Sequence, residues 1–116
     1  MTIIHDKDKY LKYYLQSIFF LGELRLGAIK TMAQHKGQGD EYIQCSFDAT
    51  DEDYKEGYVT LYFWKPAVEE DVIVWVENRT FYESLVSICN ETIERTPKHK
   101  KELEENLQKI KQHLSL

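Results

Sequence analysis

The feature that most constrains this 116-residue chain is a succession of three strand-like segments, with almost no chain between the last two. In "YIQCSF", Ile43, Cys45 and Phe47 alternate with Tyr42, Gln44 and Ser46. In "YVTLYFW", Val59, Leu61 and Phe63 alternate with Tyr58, Thr60, Tyr62 and Trp64. Successive side chains of a strand point to opposite faces, so each segment has one aliphatic face. "VIVWV", Val72 to Val76, is apolar throughout, as a strand at a sheet centre or covered on both sides would be. Only "KPAVEED" separates the second segment from the third. That is too short for the crossover a parallel pair requires, so the two form an antiparallel hairpin. Pro66 falls just after the second strand, where its missing N–H does least harm.

Helical periodicity flanks these strands. From Lys7 to about His35, Leu11, Tyr14, Ile18, Leu21, Leu24 and Ala28 recur at three- and four-residue steps, which predicts one long or two consecutive amphipathic helices. Gly22 and Gly27 weaken the middle of that pattern, and Gly37 in "KGQGDE" reads as the C-terminal cap. After the strands, Thr80 and Glu83 have the spacing of a capping box, and Phe81, Leu85, Ile88, Cys89, Thr92 and Ile93 make an inward stripe. Thr96 and Pro97 then predict the N-cap and first residue of a last helix carrying Leu103, Leu107, Ile110 and Leu114. The expectation is an α+β fold in one domain spanning 1–116: N-terminal helices, a three-stranded antiparallel sheet and two C-terminal helices. A chain this long suits one packed core better than two.

Charge is unevenly distributed. Between Asp40 and Glu77 stand eleven acidic residues against two basic ones, a regional net charge of −9 in a chain whose total is −5, so the flanks are net positive. Asp48, Asp51, Glu52, Asp53 and Glu56 precede the aromatic strand; Glu69, Glu70 and Asp71 follow it. Such a region repels nucleic acid and anionic membrane and attracts a basic protein surface; a solvated acidic rim that aids solubility is the plainer reading. Tyr58, Tyr62 and Trp64 share one sheet face, joined by Trp75 across the hairpin. Either a helix covers that face or the aromatics serve a partner.

Chemistry-bearing motifs are scarce. No start in "DATDEDYKEG" satisfies a calcium loop: counted from Asp51, position five is Lys55 and position six Glu56. His5, His35, His99 and His113 are scattered without metal-ligand spacing. "GQG" at Gly37 to Gly39 follows a helix and reads as a turn, not a phosphate loop. Cys45 and Cys89 sit at positions patterned for burial, as inert free thiols with no disulfide framework. No apolar run approaches the roughly 20 residues of a membrane span, and the opening segment is unlike a signal peptide, so the expected location is cytoplasmic. No catalytic, cofactor or metal residue is assigned.

The order "YIQCSF", "EGYVTLYFW", "EEDVIVWVENRTFYESL" and "TIERTPKHKKELEENLQKIKQHL" resembles the CdiI-type immunity proteins that protect bacteria from the ribonuclease toxins of contact-dependent growth inhibition systems. The resemblance runs from about Gly37 to Leu114. It implies a cytoplasmic, non-catalytic protein that binds the C-terminal nuclease domain of one cognate toxin and blocks its active site. It carries over no set of contact residues, so the positions follow from charge and shape. Ribonuclease grooves are basic because they hold phosphates, and a patch that is acidic and aromatic can occupy one. On that argument the toxin-binding residues are Asp51, Glu52, Asp53, Glu56, Tyr58, Trp64, Glu69, Glu70 and Asp71, with the tyrosine and tryptophan as anchors. An acidic module for another basic partner, or a small metal-dependent enzyme, are the alternative readings.

Overall fold

The computed structural model describes residues 2–3 and 7–116. His5 lies outside the described residues. The elements run β1 (Thr2–Ile3), α1 (Lys7–Ser17), β2 (Phe19–Phe20), β3 (Glu23–Leu24), α2 (Leu26–Ala33), β4 (Gln38–Gly39), β5 (Ile43–Ser46), β6 (Tyr58–Phe63), β7 (Val72–Glu77), α3 (Asn78–Arg95), a 3₁₀ turn (Pro97–His99) and α4 (Lys100–His113). The class is α+β, as the pattern predicts, and β5, β6 and β7 form the expected antiparallel meander. Ile43 faces Phe63, Cys45 faces Leu61, and Leu61 in turn faces Val74.

The sheet is wider than three strands. Its order is β1-β7-β6-β5-β4, with β1 parallel to β7 at one edge and β4 antiparallel to β5 at the other. Both additions are two residues long, too short to show an alternation in sequence. Gly39 makes the β4 edge possible, because a Cβ there would sit 2.2 Å from the Ile43 carbonyl oxygen and 2.5 Å from Gln44 Cα.

The aliphatic sheet face is the buried one. Ile43, Cys45, Val59, Leu61, Phe63, Val72, Val74 and Val76 join one core cluster with Leu11, Tyr14 and Ile18, with Ile29 and Met32 of α2, and with Phe81, Leu85, Leu103 and Ile110 of the last two helices. Tyr10 and Tyr13 of α1 bracket Phe63 with ring centroids 5.1 and 5.5 Å away, and Phe81 lies 6.0 Å from both Tyr14 and Phe47. The Tyr14 hydroxyl donates to Gln38 Oε1 at 2.5 Å, which ties α1 to the β4 edge.

Four local expectations need correction. The N-terminal helical stretch is split by the β2–β3 hairpin, so Leu21 lies at a turn and is 88% exposed instead of joining the inward stripe. The cap of α2 is His35, not Gly37. His35 has φ of 59°, its N–H donates to Met32 O at 2.9 Å, and the Lys36 N–H donates to Thr31 O at 3.3 Å, the Schellman pattern with histidine in the left-handed position. Gly37 serves close approach, since a Cβ there would lie 2.8 Å from the Cys45 carbonyl oxygen. Thr80 and Glu83 form no capping box, because α3 starts at Asn78, directly off β7, with Glu77 at the N-cap and no side-chain cap bond. The end of α3 at Arg95 agrees with the pattern. Pro97 opens a 3₁₀ turn before α4 begins at Lys100.

Candidate functional site

The other sheet face carries the aromatic and polar members of each alternation, and register brings them together. Gln44 lies beside Tyr62 and Ser46 beside Thr60, which in turn lies beside Trp75. Gln44, Ser46, Tyr62, Trp64 and Trp75 are half-buried. The rings of Tyr62 and Trp64 stack at 5.4 Å with planes 18° apart. A concavity of about 510 Å³ opens over this face, lined by Gln44, Ser46, Asp48, Asp51, Tyr62 and Trp64 together with the Gly37–Gly39 edge.

The acidic β5–β6 connection folds back over part of the face, and the reason is local. Asp48 Oδ1 accepts from the Thr50 N–H at 2.8 Å and its hydroxyl at 2.7 Å, and backbone bonds from Asp51 to Asp48 and from Tyr54 to Asp51 continue the turns. Asparagine and aspartate favour such turns because the carboxylate or amide can bond the backbone two residues on. The hydrogen bonds from Thr50 hold the Asp48 carboxyl below its usual range. The connection is then pinned to the sheet. Ser46 Oγ donates to Asp51 Oδ2 at 2.5 Å, Trp75 Nε1 donates to the Asp53 carbonyl at 2.9 Å, and the Tyr62 hydroxyl donates to Asp53 Oδ2 at 3.4 Å. Thr60 is 2% exposed beneath it.

These contacts bring negative charge against the Tyr62 ring. The Tyr62 hydroxyl is pushed up to about 12, first by desolvation, then by the charges of Asp53 and Asp51, the hydrogen bond to Asp53 and the charge of Glu52. A negative field opposes formation of a phenolate, and the same field attracts a cation.

The nine sequence-predicted residues separate into four groups. Asp51, Glu52, Asp53 and Trp64 border the concavity or its loop, with Glu52 and Glu56 exposed and Asp51 and Asp53 turned toward the sheet. Tyr58 stands at the opposite end of β6 and is already occupied: Lys55 Nζ lies 4.3 Å and Lys7 Nζ 5.3 Å from its ring centroid. Glu69 and Glu70 line a different groove, of about 310 Å³, with Lys9, Tyr10 and Tyr13 of α1. Asp71 closes its own hairpin by accepting the Lys65 N–H at 2.9 Å. Tyr62, Asp48, Gln44 and Ser46 were not among the nine. Tyr62 was legible from its two-residue spacing to Trp64; Ser46 and Gln44 required the register.

A family model described as CDI immunity protein matches residues 7–107. The chain belongs to that family. The match takes in both N-terminal helices, which the resemblance beginning near Gly37 did not, and ends at Leu107 rather than Leu114. No curated protein and no solved structure matches the chain. A CDI immunity protein binds its cognate toxin and neutralises it, so this one has a protein partner. Among the described residues, no helix of this immunity protein is long and apolar enough to cross a membrane, and no three His, Cys, Asp or Glu side chains are grouped to hold a metal ion.

Proposed function

We propose that this immunity protein acts as one domain in the cytoplasm, without catalysis of its own, by laying the acidic sheet face over the basic active site of a ribonuclease toxin's C-terminal domain. One observation carries the reading: Asp48 and Asp51 line an open concavity with the stacked Tyr62–Trp64 pair, and Asp51, Glu52 and Asp53 place negative charge on the Tyr62 hydroxyl. Carboxylates there stand where RNA phosphates would sit in the nuclease groove, and Trp64 supplies apolar burial beside them. Glu56 extends the charge along the loop. Glu69, Glu70 and Asp71, in the β6–β7 turn that follows Trp64, act from the α1 side as a weaker steering field, and Tyr58, held beneath Lys55, contributes less than Trp64.

The test is direct. Trp64→Ala should weaken binding of the purified cognate toxin domain by about 2 kcal/mol or more, while wild-type protein should restore growth to cells expressing that domain and stop its RNA cleavage in vitro. Wild-type affinity in Trp64→Ala, or a toxin whose substrate is not RNA, would remove the corresponding half of the proposal.

A further inference from the structure

The two most exposed large hydrophobic side chains of the described chain stand together at the tip of the β2–β3 hairpin. Phe20 is 67% exposed and Leu21 88%. Phe20 pairs with Glu23, so the connection is a two-residue turn, and both of its central residues have positive φ, 52° at Leu21 and 80° at Gly22. Glycine adopts that backbone freely. Leucine does not, because its Cβ crowds the following carbonyl oxygen, and asparagine, aspartate or glycine are the residues such turns favour. Leu21 therefore carries two local costs at once, a left-handed backbone and a solvated apolar side chain. Departures from local preference of this kind concentrate where a sequence serves binding instead of folding.

We infer that the Phe20–Leu21 tip is an anchor that inserts into an apolar recess of the cognate toxin, with Glu23 meeting a cation at the rim of that recess. The inference rests on the family assignment, which establishes a toxin partner, and not on the acidic-face reading. The family assignment and the area of the tip select this occupant. An aromatic and an aliphatic side chain at these exposures offer on the order of 300 Å², against about 800 Å² per partner in a stable interface. The tip alone cannot hold two copies of this chain together; it needs a partner with further surface around it. Glu23 is exposed on the hairpin itself, beside a groove that also carries Arg95, Lys98 and His99.

The position of the hairpin makes it a second contact. Glu23 and Leu24 line a groove with Thr92, Arg95 and Thr96, at the C-terminal end of α3. The acidic loop reaches the opposite end, where the Asn78 N–H donates to the Gly57 carbonyl at 3.0 Å. The 18 residues of α3 span about 27 Å, close to the width of a small domain. One toxin domain is therefore wide enough to reach both ends.

Leu21→Asn tests this cleanly, because asparagine suits the turn and removes the apolar group. Phe20→Thr does the same on a strand position that accepts threonine. Both variants should keep the wild-type melting temperature or exceed it, and each should bind the purified cognate toxin domain at least tenfold more weakly. Wild-type affinity in both overturns the inference. So does a fall in melting temperature that accounts for the lost binding, which would make the tip a structural element. Sedimentation of the wild-type protein with phosphatidylglycerol vesicles, or a wild-type dimer that Leu21→Asn converts to monomer, would assign the tip to another occupant and overturn it as well. Glu52→Lys measured alongside separates the two surfaces: tip variants that fail while Glu52→Lys binds normally support the anchor and count against the acidic face.

Discussion

Four titratable groups lie in the interior or against it as neutral species, and each records how the core is sealed. Burial pushes the Cys45 thiol up to about 11 and the Cys89 thiol up to about 12, and it raises the buried Tyr14 hydroxyl well above 10, with Cys45 adding to that rise. Tyr62 is pushed up to about 12 by desolvation and the nearby acids. All four hold their protons more tightly in the folded chain than in the unfolded one. The stability they add is therefore complete below pH 9 and is lost as pH rises through 11 to 12. The melting temperature should stay level from pH 7 to 9 and fall beyond it. A disulfide-exchange reagent such as DTNB at pH 8 should leave both thiols unmodified in the native protein and titrate two per chain after denaturation. Rapid labelling of the native protein at that pH would contradict the burial. These thiols were readable from the sequence because their positions fall on an inward strand face and an inward helix stripe.

At the scale of elements, legibility followed length and periodicity. β5 and β6 declare themselves because four to six residues of alternation fix which face is buried, β7 because its run is apolar throughout, and α3 and α4 because their stripes repeat over three or more turns. The hairpin inside the N-terminal helical pattern was hidden because its residues keep the apolar spacing: Ile18 and Leu24 are buried as a helix would have them, and only Leu21 departs. The edge strand β4 was hidden for a different reason. Its two residues have no pattern, and what specifies them is the closeness with which Gly37 and Gly39 let the backbone approach β5. Gly39→Ala would drive a Cβ into the Ile43 carbonyl and the Gln44 backbone, so it should cost about 1 to 3 kcal/mol as an overpacking change and loosen the rim of the concavity. Chemical denaturation of that variant checks the cost. Wild-type stability would mean that β4 can shift away freely and that the rim is not fixed by it.

Across the whole molecule, the candidate site is legible in composition but not in placement. The sequence shows a regional charge of −9 around one aromatic strand; the fold sorts those acids by work. Asp40 accepts the N–H groups of Tyr42 and Ile43, Asp48 those of Thr50, and Asp71 that of Lys65, so these three shape turns. Asp51 and Asp53 pin the loop, while Glu52, Glu56 and Glu69 face solvent. The β5–β6 acids lie over the sheet on Tyr62 and Trp75, whereas Glu69 and Glu70 line the groove against α1. Glu52→Lys with Glu56→Lys, which touches none of the turn or loop-pinning carboxylates, should leave the melting temperature unchanged, slow association with the cognate toxin domain about tenfold or more at low salt, and flatten its dependence on ionic strength. Glu69→Lys with Glu70→Lys should slow association less, because that pair lies in the α1 groove away from the Tyr62–Trp64 concavity. Stopped-flow association rates across a salt series decide between them. An equal or larger effect from the 69 and 70 pair would move the inhibitory surface to the helix side of the molecule, and unchanged rates in both would leave the carboxylates as a solvated rim.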